Sequence, residues 1–242
     1  MNDIVVNYEG DDIVAYNKLL FETFPQTLFD PEYLLSNSFL NSNDTKLQYG
    51  RGCVYRFEYK NIDLVLRHYH RGGVPAKFIE DKYLWTSLDK SRAMLEMEML
   101  LKMHKAGLPV PNPAAVHIQK SGLTYHADII TVLIPNARTL SSMLMEDSIS
   151  DEDWQRLGQV IKKFHQHNCN HADLNAHNIM LDQKKDVYLI DFDRSEIKAS
   201  SGKWQMKNLE RLKRSLVKLA SADKKFNYNA TDFSSLMQGY AK

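Results

Sequence analysis

Residues 170–194 read NHADLNAHNIMLDQKKDVYLIDFDR, and their interpretation decides how the rest of the chain is understood. Two histidines, an aspartate and three asparagines crowd into the twelve residues from Asn170 to Leu181, immediately before an apolar run. The run NIML, the polar turn DQKKD and the run VYLID together spell a short β-hairpin with polar residues at both ends. Three chemistries compete for this pattern: a metal site, a phosphoryl-transfer loop, or a polar turn that happens to be rich in Asn and His.

Zinc is the weakest of the three. Structural zinc takes four Cys and His ligands in tight paired spacings. His165 and His167 fall at the end of a helix and point to different faces, and no second cluster completes a set with His171 and His177. A plain polar turn with a satisfied interior His171 explains any one of these residues, but not their order. The order is H-x-D-L-x-x-x-N, in His171, Asp173, Leu174 and Asn178, with Asp191 thirteen residues after Asn178. Phosphoryl transfer uses such parts: a carboxylate near the attacking hydroxyl, and an amide with a second carboxylate to hold Mg²⁺ on the phosphates. Hard oxygen ligands suit Mg²⁺, which needs few protein groups because substrate phosphates supply the rest. A short hairpin brings Asn178 and Asp191 together at its open end.

Size and composition permit this. The 242 residues suffice for one large domain or two lobes, and 43% hydrophobic with 25% charged residues is an ordinary globular balance. A net charge of +1 supplies no field for nucleic acid, and no stacking-aromatic motif is present. Cys53 and Cys169 form neither a framework nor a CxxC pair, so free thiols in a reducing compartment are expected. Asp3 stands where a secretory leader would carry Lys or Arg, and the longest apolar stretch, DIITVLIP, is far too short to span a bilayer. The expectation is a soluble cytoplasmic chain, or one resting on a membrane surface.

Along the chain no repeat or low-complexity linker appears. Residues 1–45 are polar and aromatic-rich, with FPQTLFDPEYLL reading as turns and a short helix. LQYGRGCVYRFEY and IDLVLRHYHRGG read as three strands, with Gly50 and Gly52 at the first turn and Asn61 to Asp63 bounding the second. A helix is expected from about Asp89 to Lys105, stopped by Gly107 and Pro109, and a strand over YHADIITVLIP. Pro135 and Asn136 mark the boundary between a strand-rich part (1–134) and a mainly helical part (135–242). In the second part Ser150 is the expected N-cap of a helix whose first turn carries Asp151, Glu152 and Asp153, and whose Leu157, Val160, Ile161 and Phe164 recur at helical spacing. A strand-rich region followed by a helical one is an α+β arrangement.

The segment from His171 to Asp191 resembles the catalytic loop and metal-binding motif of the protein-kinase-like superfamily. The resemblance implies a two-lobed kinase-like fold, Asp173 as catalytic base or hydroxyl-positioning residue, and Asn178 and Asp191 as metal ligands. It also implies upstream parts. Gly50 and Gly52 supply a glycine turn for phosphates, shorter than the full G-x-G-x-x-G. Arg67 in LVLRHY stands where lysine is usual. Of the two glutamates on the following helix, Glu98 shares a face with Lys102 and Lys105, whereas Glu96 lies with Ala93, Met99, Leu100 and Met103 and so needs a partner for its charge. Glu96 is therefore the expected partner of Arg67. DFDR replaces D-F-G, which makes Asp193 a candidate third metal ligand. About fifty residues follow Asp191 in this sequence, so neither a peptide-binding activation loop nor a protein substrate is expected.

Eight stretches resemble the Kdo kinases, which phosphorylate 3-deoxy-D-manno-octulosonic acid (Kdo) on lipid A precursors of Gram-negative bacteria. They are GRG, LRHYHRGG, DKYLWTSLDKSRAMLEMEMLL, GLPVPNPAA, YHADIIT, HADLNAHNIML, LIDFDRS and NLERLKRSL, over roughly residues 50–218. In that family arginine, here Arg67, stands where lysine is expected. The resemblance implies transfer from ATP, with Mg²⁺, to the 4-hydroxyl of Kdo in lipopolysaccharide core synthesis at the cytoplasmic face of the inner membrane. Because the acceptor is anionic, Arg71, Lys77 and Arg194 are candidate acceptor contacts. The basic segment KWQMKNLERLKRSLVKL, with Lys203, Lys207, Arg211, Lys213, Arg214 and Lys218, suits an anionic membrane surface, while its leucines suit ordinary packing. No obligate protein partner is evident. The rival enzyme is a soluble phosphotransferase of the aminoglycoside or choline kinase type. An inactive scaffold is disfavoured by intact Asp173, Asn178 and Asp191.

Overall fold

β-branched and aromatic residues, interrupted where Gly10, Lys60, Asn61 and Gly122 take left-handed backbone angles, fold the N-terminal part into an antiparallel sheet. The computed structural model describes residues 3–36, 46–49, 52–69 and 82–242, with backbone alone at 46–49, 52 and 53. The strands are β1 (Ile4–Glu9), β2 (Asp12–Asn17), β3 (Lys46–Tyr49), β4 (Gly52–Tyr59), β5 (Ile62–His68), β6 (Tyr83–Leu84), β7 (Pro113–Ser121) and β8 (Thr124–Val132). Their order is β1-β2-β7-β8-β5-β4-β3, with β6 beside β8. Two helices accompany them, α1 (Pro31–Ser36) and α2 (Arg92–Lys105).

Period-two alternation divides β5 between two faces. Leu64 and Leu66 enter a core with Phe57, Ile130, Phe21 and Phe24. Arg67, one residue on, therefore takes the opposite face from Leu66. On α2, Ser91 Oγ accepts from the Met94 N–H, and Gly107 beyond the last turn takes φ 71°. Ala93, Met97 and Leu100 are buried, and so is Glu96.

Two strands ahead of residue 18 and the strand β7 were not expected from the sequence. β2 is buried along nearly its whole length, so it shows no alternation, and β7 begins in the ambiguous run PAAVHI. Each is fixed by its hairpin partner: Glu9 opposes Asp12 around Gly10, and Ser121 opposes Thr124 around Gly122. FPQTLFDPEYLL forms a 3₁₀ turn (Gln26–Phe29) and then α1, as read from its residues.

The chain divides into two compact units, Met1–Lys102 with Asn112–Leu133, and Met103–Pro111 with Ile134–Lys242. The second contains β9 (Arg138–Thr139), α3 (Leu140–Glu146), α4 (Asp151–Gln166), β10 (Cys169–Asn170), β11 (Ile179–Leu181), β12 (Val187–Leu189), β13 (Glu196–Ile197), α5 (Lys203–Ala222) and α6 (Ala230–Ala241). β11 lies between β12 and β9, and β10 pairs with β13. Ser150 caps α4 by accepting from the Asp153 N–H at 3.1 Å, and Leu157, Ile161 and Phe164 are buried. α4 and α6 cross closely because Gly158 and Gly239 carry no side chain; a Cβ at Gly239 would overlap the Gln155 backbone. The architecture is mixed α+β, an N-terminal antiparallel sheet followed by helices.

Candidate active site

The hairpin β11–β12 sets the frame. Ile179 opposes Leu189, and the Ile190 N–H donates to the Asn178 carbonyl at 3.0 Å, so Asn178 and Asp191 lie at the same open end. Asp191 has φ 60°, a left-handed conformation rare for a side chain larger than glycine and most tolerable for Asp or Asn. His171 joins the loop to this hairpin. Its Nε2–H donates to the Ile190 carbonyl at 3.0 Å and its Nδ1 accepts from the Asp173 N–H at 3.2 Å. Burial pushes the His171 pKa down. The Ile190 hydrogen bond and the charges of Asp191 and Asp173 oppose that push, and Arg211 adds to it, so the ring stays neutral in this bridging role. Phe192, beside Asp191 in sequence, packs its ring 4.7 Å from His171.

The asparagines fold the loop. Asn175 Oδ1 accepts from the His177 N–H (2.8 Å) and the Asn178 N–H (3.2 Å), an Asx turn. Its Nδ2 donates to Asp173 Oδ2 at 3.0 Å. Asn178 Nδ2 donates to the Asp173 carbonyl at 3.0 Å, which leaves the amide oxygen as the hard donor remaining to Asn178. An amide oxygen and carboxylates are the hard oxygen donors that Mg²⁺ takes, and Asn178 and Asp191 carry one of each at the open end of this hairpin. The polar-turn interpretation thus accounts for the loop's shape, and Asp173 is the carboxylate that the loop presents to solvent.

α5 runs along this loop with three polar residues at i, i+3 and i+7. Asn208 is buried; its Nδ2 donates to Asn170 Oδ1 and to the His171 carbonyl, both at 3.0 Å, and its Oδ1 accepts from the His171 N–H at 3.2 Å. Arg211 Nη1 donates to Asp173 Oδ1 at 3.1 Å. Ser215 Oγ accepts from the Ala176 N–H at 3.3 Å. Leu209, Leu212 and Leu216 are buried, and Lys203, Lys207, Lys213, Arg214 and Lys218 are exposed.

The chain matches the model of the lipopolysaccharide kinase (Kdo/WaaP) family over residues 45–240. This chain belongs to that family. It is 39% identical to the 3-deoxy-D-manno-octulosonic acid kinase of Vibrio parahaemolyticus over 210 residues, 87% of this chain and 86% of the relative. It is 34% identical to the kinase of that name from Vibrio vulnificus over 231 residues, 96% of this chain and 95% of the relative. A third such kinase, from Actinobacillus succinogenes, is 40% identical over 198 residues, 79% of this chain and 82% of the relative.

In the first unit of this family member, Arg67 Nη2 reaches both Glu96 carboxylate oxygens at 2.7 Å, and the Tyr69 hydroxyl donates to Glu96 as well. The Arg67 guanidinium also lies over the Tyr69 ring, 4.8 Å from its centre. The pairing expected from helical spacing is therefore present, while Glu98 is half-buried. Gly52 opens β4 opposite Tyr49; Gly50, Arg71 and Lys77 lie outside the described residues. Arg194 is exposed, has φ 57°, and its Nε lies 4.0 Å from Asp193 Oδ2.

Of the remaining ligand-type residues, His165 is buried and His167 exposed. Burial holds His165 at a pKa of about 4, against the opposing effect of its hydrogen bond to the Asn208 amide oxygen. The buried Cys169 thiol is pushed up to about 12 by desolvation, so it is an inert packing group. Among the described residues, no three His, Cys, Asp or Glu side chains are grouped to hold a metal, and no helix is long and apolar enough to cross a membrane. The contact missed from the sequence is Arg211 with Asp173. Its signal was a polar row (Asn208, Arg211, Ser215) directly beside the leucine face of α5.

Proposed function

We propose that this chain is an ATP-dependent Kdo kinase of lipopolysaccharide biosynthesis, transferring the γ-phosphoryl group to the 4-hydroxyl of Kdo on a lipid A precursor, and that its two units are the lobes of a protein-kinase-like fold. The observation that carries this reading is the shared hydrogen bonding of His171, Asn178 and Ile190, which fixes Asp173 relative to Asp191. Together with relatives named as Kdo kinases over most of their length, it supports one reaction. Asp173 accepts the hydrogen bond of the acceptor hydroxyl and aims it in line. A weakly basic carboxylate suffices, because the transition state is loose and positioning does most of the work.

Asn178 and Asp191, with Asp193, would hold Mg²⁺, which supplies charge neutralisation on the nucleotide phosphates. Arg67, fixed by Glu96, supplies a cation for the nucleotide, and the Gly50–Gly52 turn supplies backbone N–H groups. Arg71, Lys77 and Arg194 are held as acceptor contacts. The exposed basic residues of α5 favour an anionic membrane surface at the cytoplasmic face. The test is transfer from labelled ATP, with Mg²⁺, to Kdo-bearing lipid A precursor beside the same lipid lacking Kdo. Label in the Kdo-bearing lipid alone supports the reading. Label in neither, with ATP still bound, removes the acceptor assignment and favours a soluble-metabolite kinase.

A further inference from the structure

Of the three α5 residues that meet the loop, Asn208 and Ser215 bond its backbone, whereas Arg211 bonds only the Asp173 side chain. Both members of that pair are open to water, with the Arg211 side chain 48% and the Asp173 side chain 59% exposed. Exposed ion pairs hold a fold together weakly, so fixing the loop is the role of Asn208 and Ser215 rather than of this guanidinium. Arg211 uses Nη1 alone toward Asp173, and a guanidinium offers five N–H donors in a planar fork. Among the described residues no other acceptor engages it, which leaves donors for a second anion beside Asp173.

Electrostatics says what that anion is. The relatives are named for an acid, and a sugar acid brings its own carboxylate to the site. Two carboxylates brought to one site repel unless a cation stands with them. Arg211 is the cation in contact with Asp173. We propose that Arg211 binds the carboxylate of the acceptor sugar acid, and by its shared contact with Asp173 sets the acceptor hydroxyl against that residue; this rests on the Kdo kinase reading. Arg211 thereby selects acid sugars over neutral ones.

The test compares wild type, Arg211→Ala and Arg211→Lys on two acceptors: Kdo-bearing lipid A precursor, and the same lipid with the Kdo carboxyl converted to a carboxamide. On the acid, Arg211→Ala is expected to lower kcat/KM about 10- to 100-fold, chiefly through the acceptor KM, with the ATP KM unchanged. Arg211→Lys recovers part of the loss. On the carboxamide, wild type and Arg211→Ala agree within about 3-fold, since the charged contact is already gone. Equal losses on both acceptors would overturn the proposal, placing Arg211 on Asp173 or on the transferred phosphoryl group. No loss on the acid would overturn it while leaving the Kdo kinase reading intact. Failure of wild type to phosphorylate the acid acceptor would remove both.

Discussion

The Arg67–Glu96 pair of the first unit and the Arg211–Asp173 pair of the second are opposite devices built from the same chemistry. In the first unit Glu96 is buried to 3% exposure and takes both contacts from Arg67 at 2.7 Å, along with the Tyr69 hydroxyl. Water cannot replace those donors, so the pair acts as a strut. In the second unit Asp173 meets Arg211 at a single 3.1 Å contact that water can exchange. Burial therefore decides the use of such a pair. Excluding water fixes the geometry permanently, while exposure leaves both groups free to take a ligand.

The comparison is broken most severely at Asp173. Asp173→Ala is expected to reduce phosphoryl transfer about 10³-fold or more, because a positioned proton acceptor contributes about 10²–10⁴-fold and the hydroxyl also loses its alignment. ATP affinity, read by nucleotide titration, stays within about 2-fold, because the residue acts on the acceptor. A parallel fall in ATP affinity would move Asp173 to the nucleotide side.

Glu96 behaves the other way. Glu96→Ala removes an acceptor that serves two buried or half-buried donors, and is expected to lower unfolding free energy by about 2–3 kcal/mol, discounted from a fully buried pair because Arg67 is partly exposed. Denaturant titration reads this directly. A change below about 0.5 kcal/mol would mean that the strut carries no load.

The histidines repeat the contrast between environments. His117, in the first unit, is buried, which pulls its pKa down, but Asp128 and Asp12 together outweigh burial and raise it above 6.5. Its stabilisation is complete below pH 6.5 and fades as pH rises through the raised folded value. His165, in the second unit, has among the described residues only neutral partners in Tyr240 and Asn208, and burial takes it to about 4. Its stabilisation is complete above 6.5 and is lost as pH falls toward 4, because the unfolded chain then binds the proton that the folded chain refuses. Histidine ring shifts followed by NMR should show His165 neutral at pH 5 and His117 half-titrated above 6.5. The reverse order would contradict the burial argument.

What could be read from sequence follows the distance over which each feature is determined. The loop from His171 to Asn178 and its hairpin are local, so their spacing sufficed to bring Asp173, Asn178 and Asp191 into one frame. Helical periodicity separated Glu96 from Glu98, since three residues of spacing on one helix fix which face is buried. The strands β1, β2 and β7 escaped because their partners define them: β2, buried along nearly its whole length, lacks the alternation that marks a strand. Arg211 escaped for a related reason. The sequence divided α5 into a basic surface and a leucine face that packs, whereas the helix also docks one polar row against a loop some forty residues earlier. The buried Asn208 on that row was the usable signal, because a buried amide must find partners.

The smallest expected effect is the sharpest discriminator between strut and exchangeable contact. If Asn208 and Ser215 hold the loop, Arg211→Ala should change unfolding free energy by less than about 0.5 kcal/mol. Asn208→Ala, which leaves the His171 N–H and carbonyl without their partner, should cost about 2 kcal/mol. The two residues lie one turn apart and touch the same loop, so helix propensity and general docking of α5 nearly cancel in the comparison. Equal costs would show that Arg211 is a second strut and that exposure, at this site, does not make the contact exchangeable. Unequal costs, with Arg211→Ala near zero in stability yet clearly impaired on the acid acceptor, would separate what holds the loop from what the loop presents.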